Sequence, residues 1–254
     1  MTDDKIAGQR VVVIMGAGSG IGRAAALRFA EQGARVVVGD ISEAGCQQTV
    51  RLVEEQGGVA HHVVLDVARA AEVEVLVESA VDRYQRIDVM CNNAGLVDGA
   101  HVLDWTPAQY ERVIAVNQHG VFYGIQASAR AMRAQGRGGV IINTGSVHGV
   151  LAAKFVAPYQ AAKAAVEIMT KVAARELAGD GIRVINVAPG VVDTPIIGPY
   201  RESGLLPAMS KKHMRAQLIR PEDVARLMVL LASDAANAVN GTTVYADDGY
   251  SAFK

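Results

Sequence analysis

The chain has 254 residues, 50% of them hydrophobic, and 25 lysines and arginines stand against 26 aspartates and glutamates for a formal net charge of -1. Such a chain can bury a substantial core in one domain, and its charge balance argues against a polyanionic partner, so no nucleic-acid partner is expected. No apolar run approaches the ~20 residues that span a bilayer, and Met1-Thr2-Asp3-Asp4-Lys5 lacks the basic start and apolar core of a secretory signal, so a cytoplasmic protein without a membrane partner is expected.

Residues 10–15 are a β-branched apolar run, the pattern of a strand buried on both faces, and they lead into the turn Gly16-Ala17-Gly18-Ser19-Gly20-Ile21-Gly22 and a helix opening near Ile21. Further strands are predicted at 36–40, 60–66 and 87–92, with helical spacing over 42–56 and 70–84 between them. Thr106-Pro107-Ala108-Gln109 reads as a capping Thr, a Pro at the first helical position and a Gln three after the cap, with Trp105 and Tyr110 spaced as a hydrophobic staple. That helix is predicted to run to about 134. Strands at 140–143 and 183–187 flank a helix over 159–178, and a last strand is predicted at 242–245. The alternation predicts an α/β fold: one doubly wound parallel sheet of about seven strands with helices on both faces, in a single domain spanning 1–254. The irregular stretch 194–218, which holds Gly198, Pro199, Gly204 and Pro207, is expected to form a lid before a helix opening at Pro221.

The glycine turn suits a dinucleotide. Missing side chains at Gly16, Gly20 and Gly22 let backbone approach phosphate, and the helix that follows turns its N-terminus to the charge. Asp40, at the tip of the second strand, can accept both adenosine ribose hydroxyls and would repel a 2'-phosphate. Ile41 offers no compensating cation, so NAD is favoured over NADP, although Arg23 or Arg35 could reach the region. Tyr159 and Lys163, four apart on a helix, share a face, so the ammonium can favour the phenolate of an acid/base tyrosine. Ser146, shortly upstream, would hold the reacting oxygen.

In order along the chain, the glycine turn, Asn92-Asn93-Ala94-Gly95, Asn117, Ser146, Tyr159-x-x-x-Lys163 and Pro189-Gly190 resemble the single-domain short-chain dehydrogenase/reductase family, whose fold is the Rossmann fold. The resemblance implies four catalytic residues: Asn117 anchoring a water in a proton relay, Ser146 binding the substrate oxygen, Tyr159 exchanging the proton, and Lys163 holding the nicotinamide ribose. It implies that the NAD cofactor is bound by Gly16, Gly18, Ser19, Gly20, Ile21 and Gly22, by Asp40 and Ile41, and by Asp66 and Val67 at the adenine. Asn93, Ala94 and Gly95 would line it, Tyr159 and Lys163 would touch it, and Pro189, Gly190, Val192 and Thr194 would grip its nicotinamide side. Met15 departs from the family, which commonly has Thr there; the hydroxyl link to the Asn-Asn-Ala-Gly turn is expected to be absent and cofactor binding slightly weaker. Ala161-Ala162 and Asp247-Asp248-Gly249 are further departures that do not touch the chemistry.

The expected substrate is a small to medium, largely apolar secondary alcohol or ketone, because Ile196, Ile197, Tyr200, Leu205 and Met209 make the lid apolar; Ile196, Tyr200 and His148 join Ser146 and Tyr159 as candidate substrate contacts. Alternation along the strand end would turn His148 to the same pocket as Ser146, or it is a structurally bonded histidine. Lys211-Lys212-His213 and Arg215 read as a solvated face, with attraction of an anionic substrate or acyl carrier as the alternative. His61-His62 has no third ligand, and no metal site is expected. Cys46 and Cys91 read as bystander thiols. The alanines of the 159–178 helix permit close packing, against a second copy or the chain's own sheet, and relatives in the family commonly form homotetramers through this helix. Two other functions stay open: an NADP-dependent 3-oxoacyl reductase, and a catalytically silent nucleotide-binding or scaffold protein.

Overall fold

Alternate residues of the first predicted strand serve opposite cores: Val12 and Ile14 pack with Phe29, Val224, Met228 and Leu231, while Val11, Val13 and Met15 pack with Leu76, Ile125, Met132 and Val166. Such a strand needs apolar side chains on both faces, which is why its sequence shows no polar alternation. The structure, a computed structural model, describes residues 10–253. Its strands are β1 (Val11–Met15), β2 (Arg35–Asp40), β3 (Val59–Val64), β4 (Val89–Asn92), β5 (Gly139–Thr144), β6 (Ile182–Pro189) and β7 (Thr243–Ala246). They form one seven-stranded sheet in the order β3-β2-β1-β4-β5-β6-β7, and every neighbouring pair is parallel.

Helices α1 (Gly20–Glu31), α2 (Glu43–Glu55), α3 (Ala70–Tyr84), α4 (Pro107–Ile114), α5 (Gly120–Gln135), α6 (Ala157–Leu177), α7 (Gly198–Glu202), α8 (Leu206–Ser210) and α9 (Pro221–Ala232) cover both faces. The strand order reverses between β1 and β4, so the loops leaving Met15 and Asn92 part and open a crevice at the carboxyl edge, where doubly wound sheets take ligands. Among the described residues, no helix is long and apolar enough to cross a membrane.

Several predicted boundaries move. The strand predicted to Asp66 stops at Val64, and the one predicted from Ile87 starts at Val89. The capping box is present: the Thr106 hydroxyl accepts from the Gln109 amide at 3.3 Å and the Gln109 side chain accepts from the Thr106 amide at 3.1 Å. The helix it opens is not uniform to 134, because a π-helical turn over Ala115–His119 separates α4 from α5. Of the alanines of α6, Ala162, Ala173 and Ala174 are buried in the chain, whereas Ala161 and Ala164 are exposed.

The segment predicted as irregular folds into α7, α8 and a 3₁₀ turn, over a small core of Val147, Val191, Ile197 and Tyr250. Cys46 and Cys91 are free and buried, which pushes their thiols up to about 11 and about 12. His61, pulled down to about 4 by burial and then by the charges of Arg83 and His62, lies 3.3 Å from the Tyr84 hydroxyl. Among the described residues no cluster of three metal-ligating side chains occurs.

Candidate active site

The glycine turn fills the crevice at close range. Gly16 and Gly20 have φ of 74° and 52°, values that favour glycine. A Cβ on Gly16 would stand 2.6 Å from Ala94 Cα, and one on Gly22 would stand 2.1 Å from the Gly16 carbonyl oxygen. The start of α1 therefore lies against the loop leaving β4. Its N-cap, Ser19, makes no side-chain capping bond, so the first-turn amides have no side-chain acceptor, the arrangement that attracts a phosphate.

Asp40 closes the outer end. Its carboxylate accepts from the Gly18 amide at 2.8 Å and from the Ser42 amide at 2.9 Å, which fixes it at the tip of β2 beside exposed Ile41. Arg35 stacks over the Tyr84 ring, 5.2 Å from its centroid, at the opposite end of β2 and roughly 16 Å from Asp40. Arg23 does reach the turn: its guanidinium donates to the Gly18 carbonyl and, at 3.0 Å, to the Thr49 hydroxyl.

At the inner end, β5 delivers Ser146 and α6 delivers Tyr159 and Lys163. Ser146 accepts from the His148 amide at 3.1 Å, capping a 3₁₀ turn, and its hydroxyl lies near enough to Tyr159 to act on the phenol. Burial raises Tyr159 above the usual phenol range, the Ser146 hydroxyl opposes that, and Tyr200 adds to it. Lys163 does not pair with the phenol in the protein alone: its ammonium donates to the Thr144 carbonyl at 2.7 Å and lies 5.6 Å from the Tyr159 ring centroid.

Burial pulls Lys163 down to about 8 from 10.5. In that window the unfolded chain keeps the proton that the folded chain has released, so stability rises with pH. Relative to Lys163→Met, the wild-type protein is expected to gain about 2 kcal/mol between pH 7 and pH 9.5. Urea midpoints of both proteins at the two pH values measure this, and a constant difference would refute it.

Asn117 lies in the π-helical turn, fully buried, with its side chain spent on protein. Its amide donates at 2.9 Å to both the Leu96 and Val113 carbonyls, and its oxygen accepts from the Leu96 amide at 3.3 Å. By competing for the Val113 carbonyl four residues back, the side chain accounts for a widened turn there. The side chain thus holds the Gly95-Leu96 segment rather than offering a free group to water. Asparagine inside an apolar helix was the signal available in the sequence.

One cavity of about 680 Å³ brings these elements together. It is lined by the residues expected at the cofactor and substrate from Gly16 to Tyr200, with two exceptions. Gly18 and Gly22 do not line it; a Cβ on Gly18 would stand 2.7 Å from Asp40 Cγ, so both glycines serve close packing within the turn. Asp66, whose carboxylate accepts from the Ala68 amide at 2.9 Å, and Val67 line the outer end. Thr194 packs its methyl over Gly20, and Gly190 leaves room for His213.

His148 lines the cavity by a different route from the one expected: β5 ends at Thr144, so the 3₁₀ turn and not strand alternation aims it, and the Gln160 side chain holds its ring at 3.2 Å. Met15 brings no hydroxyl to the turn, and Asn92 Oδ1 is buried without a hydrogen-bond partner among the described residues; Asn93 is held instead by accepting from the Thr144 hydroxyl at 3.2 Å and donating to the Gly16 carbonyl at 3.1 Å. The basic run is not a plain solvated face. His213 is buried, with one ring nitrogen 2.6 Å from the Gln217 carbonyl and the other accepting from the Val191 amide at 3.0 Å. Arg215 pairs with Asp248 at 2.8 Å, and Lys212 lines the cavity. Thr144 and Gln160 are site residues that local motifs did not single out, because only the assembled loops show where they stand.

The chain matches, over residues 16–251, the family described as enoyl-(acyl carrier protein) reductase. It is 38% identical to a 3-oxoacyl-[acyl-carrier-protein] reductase of Thermotoga maritima, over 94% of this chain and 97% of that one. It is 36% identical to a cyclohexanol dehydrogenase of Acinetobacter, over 95% and 94%. Its structure resembles that of a short-chain type dehydrogenase/reductase from Mycobacterium marinum with a TM-score of 0.92 at 33% identity, covering 97% of each chain.

Proposed function

From the premise that the chain belongs to the short-chain dehydrogenase/reductase family, we propose that it transfers a hydride between NAD and a small to medium secondary alcohol or ketone with a largely apolar body. It is an oxidoreductase, and the family works with a nicotinamide cofactor. The observation that carries the proposal is the convergence of Ser146, Tyr159 and Lys163 on the wall of the cavity that the glycine turn also lines.

The residues present fit a dinucleotide: the uncapped start of α1 and the glycine turn suit a pyrophosphate, Asp40 a ribose diol, and Asp66 and Val67 an adenine. When bound, the nicotinamide ring supplies the acceptor or donor of hydride. In oxidation Tyr159 would act as the phenolate, favoured by the Lys163 ammonium and a cationic nicotinamide, and take the carbinol proton; in reduction the phenol would return it, and Ser146 would hold the oxygen on which charge grows. Lys163, anchored on the Thr144 carbonyl, holds the nicotinamide ribose. Asn117 is a positioning residue for Gly95 and Leu96. Residues 194–218 act as the lid; the small core beneath them supports this. Association into a homotetramer is supported by exposed Phe122 on α5 and exposed Ile168 and Val172, one turn apart on α6.

NAD preference rests on Asp40. Two hydrogen bonds from a ribose diol to a carboxylate amount to about 1.5–3 kcal/mol, so Asp40→Ala is expected to weaken NAD binding about 10- to 100-fold while weakening NADP binding little. Titration of wild type and variant with both cofactors, followed by nicotinamide absorbance during a screen of secondary alcohols and ketones, tests this. A wild-type protein that prefers NADP would favour the second reading, a 3-oxoacyl reductase, which the Thermotoga likeness and the Arg23 guanidinium on the Gly18 carbonyl support.

A further inference from the structure

We propose that the substrate carries a carboxylate and that Lys212 receives it; the inference rests on the reading above that the carbinol reacts at Ser146 and Tyr159. Lys212 follows α8 in the lid, is half-buried and lines the cavity. Its ammonium donates to the Tyr250 hydroxyl at 3.1 Å and lies 5.4 Å from that ring's centroid. Both contacts are neutral. The two arginines of the lid are answered by local carboxylates, Arg215 by Asp248 and Arg201 by Asp193, whereas no ion pair among the described residues includes Lys212.

The charges on the cavity wall are also segregated. Its carboxylates, Asp40 and Asp66, lie at the outer end after β2 and β3, while the remaining wall carries, among the described residues, no acid and three lysines, of which Lys163 is spent on the Thr144 carbonyl, Lys154 is exposed and Lys212 is half-buried. A half-buried ammonium without an anionic partner in an otherwise apolar pocket attracts an anion more strongly than one in open water. One ammonium balances the single charge of a carboxylate, whereas a phosphate of about −1.5 to −2 would leave uncompensated charge in a half-buried site.

The spacing fits a compact substrate. The His148 ring stands between the two ends, its centroid 6.5 Å from that of Tyr159 and 6.2 Å from that of Tyr250. His213 meets the other side of Tyr250 edge-on at 5.9 Å, so Lys212 docks on a braced, nearly buried ring. Ile196, Leu205 and Met209 line the pocket and suit an apolar ring or short chain. The substrate class is therefore a hydroxy or oxo acid whose oxidisable carbon and carboxylate are separated by an apolar body.

Calorimetric titration of the full chain, with and without NAD, with 4-oxocyclohexanecarboxylate and its neutral carboxamide tests the inference. Wild type is expected to bind the carboxylate about tenfold or more tightly than the carboxamide, Lys212→Met to lose that preference, and Lys212→Arg to retain most of it. Equal affinity of wild type for the two probes, binding of neither, or a preference that survives Lys212→Met would overturn it. Oxidation of cyclohexanol by wild type is read separately. Its absence, together with inactivity toward the wider alcohol and ketone screen, would count against the dehydrogenase reading, while the titration still decides whether the pocket selects an anion.

Discussion

Tyr159→Phe is expected to lower kcat about 10²–10⁴-fold while leaving NAD affinity nearly unchanged, because it removes one hydroxyl and keeps the ring. The ring itself has structural work: it meets His148 edge-on at 6.5 Å and lies under the Lys163 ammonium. Phenylalanine preserves that shape, so a loss of turnover reports the proton and not a collapse of the pocket. The hydroxyl is also the group on which Ser146 acts, and Tyr159 lines the cavity. Burial holds its pKa up and Tyr200 adds to that, so in the protein alone the phenol is protonated at neutral pH. Steady-state rates with a responsive alcohol, set beside fluorescence titration with NADH, make the measurement. A variant that keeps most of its turnover would remove Tyr159 from the acid/base role.

Gly22→Ala is expected to cost at least tenfold in NAD affinity and to lower Tm by several degrees, although alanine is the better helix former. The added methyl would stand 2.1 Å from the Gly16 carbonyl oxygen and 2.7 Å from Asn93 Nδ2. Its first obstacle is main chain, so α1 must withdraw from the turn or the turn must open. Overpacking of this kind costs about 1–3 kcal/mol, and in a chain of this size that is about 2–4 °C per kcal/mol. The displacement falls on the start of α1 and on Asn93, which lines the cavity. Gly179→Ala is the control: nothing lies within 4 Å of a methyl there, and both Tm and NAD affinity are expected to hold. If Gly22→Ala matched the control, close approach of α1 to the turn would not be what builds the cofactor site.

The glycine turn, Asp40 and the Tyr159–Lys163 pair were legible because their chemistry is local. A turn at positive φ selects glycine, a β-strand tip places one side chain, and four residues of helix set a common face. Asn117 was legible as a residue and not as a conformation, since its effect on the helix depends on the Leu96 carbonyl, 21 residues away. His148 was expected at the pocket through strand alternation and reached it through a 3₁₀ turn. The basic run of the lid is solvated at Lys211 and Arg215 as expected, but His213 and Lys212 turn inward, because Val191 and Tyr250, which fix them, lie far from it in the sequence.

The sequence by itself determined the parallel doubly wound sheet, the capped helix start at Thr106, the dinucleotide turn and the identities of the serine, tyrosine and lysine at its inner end. Those follow from periodicity and from backbone preferences that act over a few residues. Tertiary structure alone decided that Lys163 rests on the Thr144 carbonyl, that the Thr144 hydroxyl donates to Asn93, and that Lys212 lines the cavity without an ion pair among the described residues. Hydrogen-bond partnership and charge compensation depend on groups brought together from distant strands and loops, and no spacing along the chain encodes which of them will meet.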